Sequence, residues 1–209
     1  MRHLLALLLA ALPFTAHADG KAGEFDYYVL SLSWSPSWCA TEGRGREEPQ
    51  CAPRRRTAFV VHGLWPQYER GWPDYCPTRE RDPSRRESQA MADVMGSGGL
   101  AWYQWQKHGR CSGLSAQDYY QAIRDAAAAV EIPPIFRMLP RDVQLEAGVI
   151  EDAFIETNPG LTPDGITVSC TGERLDEVRI CLTRDLQPRP CAPDSRRDCR
   201  ARMLMEAPG

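Results

Sequence analysis

Eight cysteines, Cys39, Cys51, Cys76, Cys111, Cys170, Cys181, Cys191 and Cys199, constrain this 209-residue chain more than any other feature. None are spaced C-x-x-C, and the histidines do not stand at zinc-finger distances from them, so no metal site is expected. In an exported chain an even count of eight reads instead as four disulfides. The first residues supply the export signal that such a framework needs. Arg2 gives a positive start, "LLALLLAALPF" an apolar stretch too short to span a bilayer, and Ala16-His17-Ala18 a cleavage site. Residues 1–18 are therefore expected to be removed, leaving a periplasmic or secreted domain, 19–209, that does not engage a membrane. The only Asn, Asn158, precedes Pro159, so there is no glycosylation acceptor, which favours a bacterial protein.

The remaining ~190 residues suit one domain, because no linker or repeat divides them. "FDYYVLSLSWS" (25–35) alternates and is rich in β-branched and aromatic residues, predicting a strand; "TAFVVHGLW" predicts a second, buried on both faces. Between them Cys39 can close a charged loop to Cys51. Helices are predicted over 84–96, where Ser84 and Glu87 form a capping box, over 100–109 with Gly109 at its C′ position, and over 115–130. A weaker helix covers 143–160. "GITVSCTGERLDEVRICLT" predicts a hairpin turning around Gly172 to Asp176. Strands and helices without regular alternation give an α+β fold, a central antiparallel sheet flanked by helices and stapled by disulfides.

The formal net charge is −3, and one more negative without Arg2, which excludes a general electrostatic grip on nucleic acid. Attraction for an anionic substrate must be local. Removing 1–18 also removes His3 and His17, so two histidines remain, His62 and His108. Each is followed by glycine and set among aromatics. A histidine at an element's end is more commonly a hydrogen-bonded structural residue than a catalyst. Their pairing argues otherwise. Two converging imidazoles supply an acid and a base near neutral pH, and the ammonium of Lys107 stabilises an anionic transition state. Gln104 and His108, at i and i+4, share one helix face. That set suits phosphoryl transfer to an internal hydroxyl, with no cofactor. Of the other aromatics Trp72 stands out, because its loop follows the His62 strand; Trp34, Trp38 and Tyr75 read as packing. The basic runs 53–57 and 195–202 read as solvated surface.

"HGLWP" (62–66) and "KHGRC" (107–111) resemble the two active-site segments of the ribonuclease T2 family, in order and separation. The similarity extends from "FDYYVLSLSWSPSWC" to "LDEVRIC". The resemblance implies an α+β endoribonuclease that cleaves single-stranded RNA without metal, through a 2′,3′-cyclic phosphate. It assigns His108 as general base, His62 as general acid, Lys107 to the phosphorane-like charge, and Trp65 to base stacking. It also implies a Cys76–Cys111 disulfide. For the last four cysteines, one of three connectivities is chosen: Cys170–Cys199 with Cys181–Cys191 nested inside. DNA is refused, since it lacks the attacking 2′-hydroxyl. A monomer is expected.

Two positions depart from the family pattern. Tyr103 and Gln104 stand where His-Glu is usual; Gln104 can hydrogen-bond but carries no charge, and Tyr103 can donate to a phosphate. That motivates an alternative, a T2-like fold with weakened or lost catalysis that binds RNA or protein. A third reading is a disulfide-rich exported domain with structural histidines.

Overall fold

The first strand, β1 (Tyr27–Trp34), alternates as its composition requires: Tyr28, Leu30, Leu32 and Trp34 enter the main core, while Tyr27 and Val29 face the other way. It lies between β2 (Phe59–Gln67) and β5 (Arg174–Leu182), antiparallel to both. Beyond β5, β4 (Ile166–Thr171) completes a hairpin. A short antiparallel ladder of β3 (Val143–Leu145) and β6 (Met203–Met205) joins the sheet through one parallel bridge, Arg174 to Leu204. The structure, a computed structural model, describes residues 20–209 except 44, 47, 53 and 54. The stretch read as an export signal, with its expected cleavage site, lies outside the described residues, as do Pro53 and Arg54 of the first basic run.

The helices are α1 (Ser35–Ala40), α2 (Arg85–Gln89), α3 (Ala92–Met95), α4 (Gly98–Lys107), α5 (Ala116–Ala129), α6 (Pro134–Arg137) and α7 (Ala147–Thr157). Trp105, Tyr119, Ile123, Ile150 and Phe154 from α4, α5 and α7 fill the core against the sheet. The opposite sheet face is left for a cleft. No helix among the described residues is long and apolar enough to cross a membrane.

Several boundaries differ from the sequence expectation. The capping box forms, with Ser84 Oγ accepting from the Glu87 amide at 3.2 Å and the Glu87 carboxylate accepting from the Ser84 amide at 2.7 Å. The helix it starts breaks in two after Gln89, where the Gln89 backbone meets Gly98 so closely that a side chain at 98 would not fit. The weak helix over 143–160 begins only at Ala147, because 143–145 pair with β6. The hairpin turn is shorter than predicted, and residues 174–176 belong to β5. Gly109 is not a left-handed C′ residue. His108 caps α4, a 3₁₀ turn spans Gly109–Ser112, and the left-handed glycine is Gly113, at φ +76°. Gly109 is needed for space instead, since a Cβ there would run into the Trp105 and Tyr119 rings.

All eight cysteines are paired, as Cys39–Cys51, Cys76–Cys111, Cys170–Cys199 and Cys181–Cys191.

Candidate active site

His62 is the extra residue of a β-bulge. In the β1–β2 register Leu32 faces Val61 and Ser31 faces Gly63, so His62 has no partner across the ladder. The bulge changes the strand's parity. Phe59 and Val61 point into the core before it, Leu64 after it, and both His62 and Trp65, three residues apart, line the cleft face. Without the bulge one of those two would face the core.

The second group comes from the end of α4. His108 caps the helix, its amide donating to the Gln104 carbonyl at 2.9 Å. Neighbouring elements pin that end. The Tyr75 amide donates to the Lys107 carbonyl at 2.8 Å, the Cys76–Cys111 disulfide follows, and Asp82 accepts from the Trp105 indole at 2.8 Å and from Arg110. Tyr119 of α5 donates to the Leu64 carbonyl at 2.8 Å, tying the helical layer to β2.

Trp65 joins the two halves. Its ring centre lies 5.4 Å from that of His62, edge to face, and 5.3 Å from that of His108, stacked. Its indole N–H donates to Gln104 Oε1 at 2.8 Å, and the Arg179 guanidinium lies over the ring at 5.2 Å. Gln104, 1% exposed, therefore serves as a clamp for Trp65. Gly63 lies against that bond; a Cβ there would run into both the indole nitrogen and Gln104 Oε1.

The imidazoles stand in opposite surroundings. His108 is 5% exposed, and its Nδ1 has no hydrogen-bond partner among the described residues. Burial, followed by the charges of Lys107 and His62, lowers it to about 3, so the ring is neutral across the ordinary pH range. His62 instead offers Nδ1 to Oε1 of Glu177 on β5. Arg179 holds the other carboxylate oxygen, from Nε at 2.8 Å and from a terminal nitrogen at 2.6 Å. Burial works to raise the Glu177 carboxyl, but the bond and charge of His62 and the charge of Arg179 overcome it and hold it at about 2.

These residues line one cleft of about 910 Å³, which also takes in Lys107 and the rim aromatics Trp72 and Tyr103, 58% and 44% exposed. Every side chain that the sequence marked for catalysis or substrate contact is thus brought to a single cavity. The Tyr75 hydroxyl is pushed up from its ordinary value, chiefly by its neighbour Tyr103. Trp34 is buried in the core, whereas Trp38 reaches the cleft wall; so does Arg197, from a run expected to be plain solvated surface. Asp176, Glu177 and Arg179 were not anticipated. "LDEVRIC" read as a strand, but a second bulge, with Asp176 as its extra residue, decides which of its charges face inward. Among the described residues no group of three or more His, Cys, Asp or Glu is arranged to hold a metal ion.

Residues 25–191 match the model of the Ribonuclease T2 family. A ribonuclease of Aeromonas hydrophila is 48% identical over 132 residues, which cover 62% of this chain and 58% of that one. Ribonuclease I of Escherichia coli (strain K12) is 30% identical over 164 residues, covering 57% and 61%. The chain spans 44 to 58% of the length of the first curated relatives it matches. Among solved structures, RNase NT in complex with 5′-AMP superposes with a TM-score of 0.66 at 25% identity, over 88% of this chain and 98% of that one. An RNase-related protein from Calystegia sepium gives 0.69 at 20% identity, over 89% and 99%.

Proposed function

Since this chain belongs to the ribonuclease T2 family, we propose that it is an endoribonuclease that cleaves single-stranded RNA by transphosphorylation. The observation that carries this reading is the pair of imidazoles in one cleft, one buried and neutral, the other bonded to a carboxylate. Pairs of titratable groups whose surroundings push them apart mark acid and base. His108 accepts the proton of the 2′-hydroxyl, O2′ attacks phosphorus, and the bond to O5′ breaks. His62 gives the leaving oxygen its proton. The product is a 2′,3′-cyclic phosphate, and each imidazole ends in the other's starting state. Lys107, at the same helix end, faces the extra negative charge that builds on the phosphoryl oxygens.

RNA chemistry fixes the substrate class in this reading, because the nucleophile is the 2′-hydroxyl that DNA lacks. Trp65, Trp72 and Tyr103 are the base-stacking candidates, in keeping with sequence-tolerant recognition of single strands. Residues 19–209 form the catalytic domain, acting as a periplasmic or secreted monomer after 1–18 are removed. No step calls on a metal.

The test is cleavage of single-stranded RNA in excess chelator, with products read by mass spectrometry. A 2′,3′-cyclic phosphate end is expected. Direct 5′-phosphate products, or activity that chelator removes and metal restores, would sink the scheme. Tyr103 and Gln104 favour the second reading, a T2-like RNA- or protein-binding module, and tight RNA binding without any cleavage selects it.

A further inference from the structure

Burying a carboxylate as deeply as Glu177, 3% exposed, is costly unless its partners offset it. Arg179 and His62 are those partners, yet replacing such a buried ion pair as a whole by apolar side chains is often neutral or stabilising, so stability alone does not account for it. The charged pair therefore has its rationale in the ring it touches. We propose that Glu177, held by Arg179, is the positioning carboxylate of His62: it fixes the ring with its proton on Nδ1, leaves Nε2 for the cleft, and stabilises the imidazolium that protonates the leaving oxygen. The proposal rests on the ribonuclease reading given above.

The geometry is specific to one side of the site. Glu177 Oε2 is taken by Arg179, so Oε1 has only His62 to serve. A carboxylate on Nδ1 selects the tautomer and aims the other nitrogen. On the opposite side the helix brings no carboxylate, because position 104 carries an amide already engaged by Trp65. The charged and titratable groups around His62 are Asp176, Glu177 and Arg179 from β5 and Lys107 and His108 from the α4 end. Arg46, Glu48, Asp194 and Arg197 also line the same cleft. Of these the Glu177 carboxylate alone bonds the ring. Holding that carboxyl down at about 2 keeps it an anion wherever the protein is folded and working.

The test uses two substrates, single-stranded RNA and a nucleoside 3′-(4-nitrophenyl phosphate), whose good leaving group needs no acid. In Glu177→Gln, kcat on RNA should fall ~100-fold, the order of an acid catalyst's contribution, with KM little changed. On the aryl ester it should fall less than about 5-fold, since acid catalysis no longer limits that reaction. The alkaline limb of the rate–pH profile on RNA should move to lower pH, because the imidazolium has lost its counter-ion. His62→Ala is the control. If it shows the aryl rescue and Glu177→Gln loses both substrates equally, Glu177 is merely structural and the proposal fails while the ribonuclease reading stands. If His62→Ala keeps full RNA cleavage, the parent reading fails. Should Glu177→Gln not fold, ¹⁵N NMR of the wild-type imidazoles decides: a strongly hydrogen-bonded Nδ1–H on His62 is expected, and the Nε2–H tautomer overturns the proposal.

Discussion

The Trp65 indole N–H donates to Gln104 Oε1 at 2.8 Å, across the α carbon of Gly63. This bond links strand and helix, and with them the elements that carry His62 and His108. A methyl group at position 63 has no room beside it. Gly63→Ala should displace Trp65 and break the bond, at an overpacking cost of about 1–3 kcal/mol in stability. Activity should fall by more than that loss of folded protein explains, roughly tenfold at a temperature where the variant is fully folded. Denaturant melts and RNA cleavage measured together check this, and an unchanged kcat would mean that Trp65 does not set the geometry.

Neither imidazole has a substitute among the described residues. His62→Ala and His108→Ala should each lower cleavage by on the order of 100- to 10,000-fold while leaving the far-UV spectrum unchanged. Rate against pH should be bell-shaped in the wild type. Near-normal activity in either variant would end the two-histidine mechanism.

That His62, Lys107 and His108 share one cleft was legible because histidine is so scarce and because both histidines stand beside glycine and aromatics. The β1 alternation was equally plain. Glu177 was not. In "RLDEVRIC" Asp176 and Glu177 are adjacent carboxylates, and plain alternation puts them on opposite faces. The bulge at Asp176 brings both to the cleft, and its register depends on β4, a tertiary fact that no local pattern encodes. Gly109 was misread for a related reason. Its glycine is demanded by two rings, one from α4 and one from α5, and not by its own dihedral angles. The break between α2 and α3 depends likewise on Gly98 meeting Gln89.

Acid sensitivity follows from the same buried groups. His108 titrates at about 3 in the fold against an ordinary 6.5, so between those values the unfolded chain binds a proton that the native state refuses. Its contribution to stability is complete above about 6.5 and falls away as pH drops toward 3. Glu177, held at about 2 against 4.5, contributes stability present above 4.5 and lost as pH falls through about 2. Urea unfolding of the wild type and of His108→Gln at about pH 4 and about pH 7 separates the two. The wild type should lose more stability across that interval than the variant. Equal losses would mean that residue 108 is not kept neutral by burial.

Gln104→Glu tests whether the helix side of the site wants a charge. The new carboxylate can keep one oxygen on the Trp65 N–H while placing a negative charge one helical turn before His108. It opposes the burial and the two cations that push that imidazole down, so protonation of His108 becomes easier and the acid limb of the profile should move to higher pH. Above that limb a stronger base removes the 2′-hydroxyl proton faster, and Lys107 offsets repulsion between the carboxylate and the phosphate at close range. A gain of about tenfold is expected, equal to ~1.4 kcal/mol off the barrier. Stability should fall, because position 104 is almost fully buried. Rate–pH profiles of both proteins decide the matter. A rate unchanged or lower at every pH would show that an amide at 104 suits this site better than a carboxylate. The bond that clamps Trp65 would then matter more than added basicity at His108, and the chemistry would draw its carboxylate from Glu177 on the sheet.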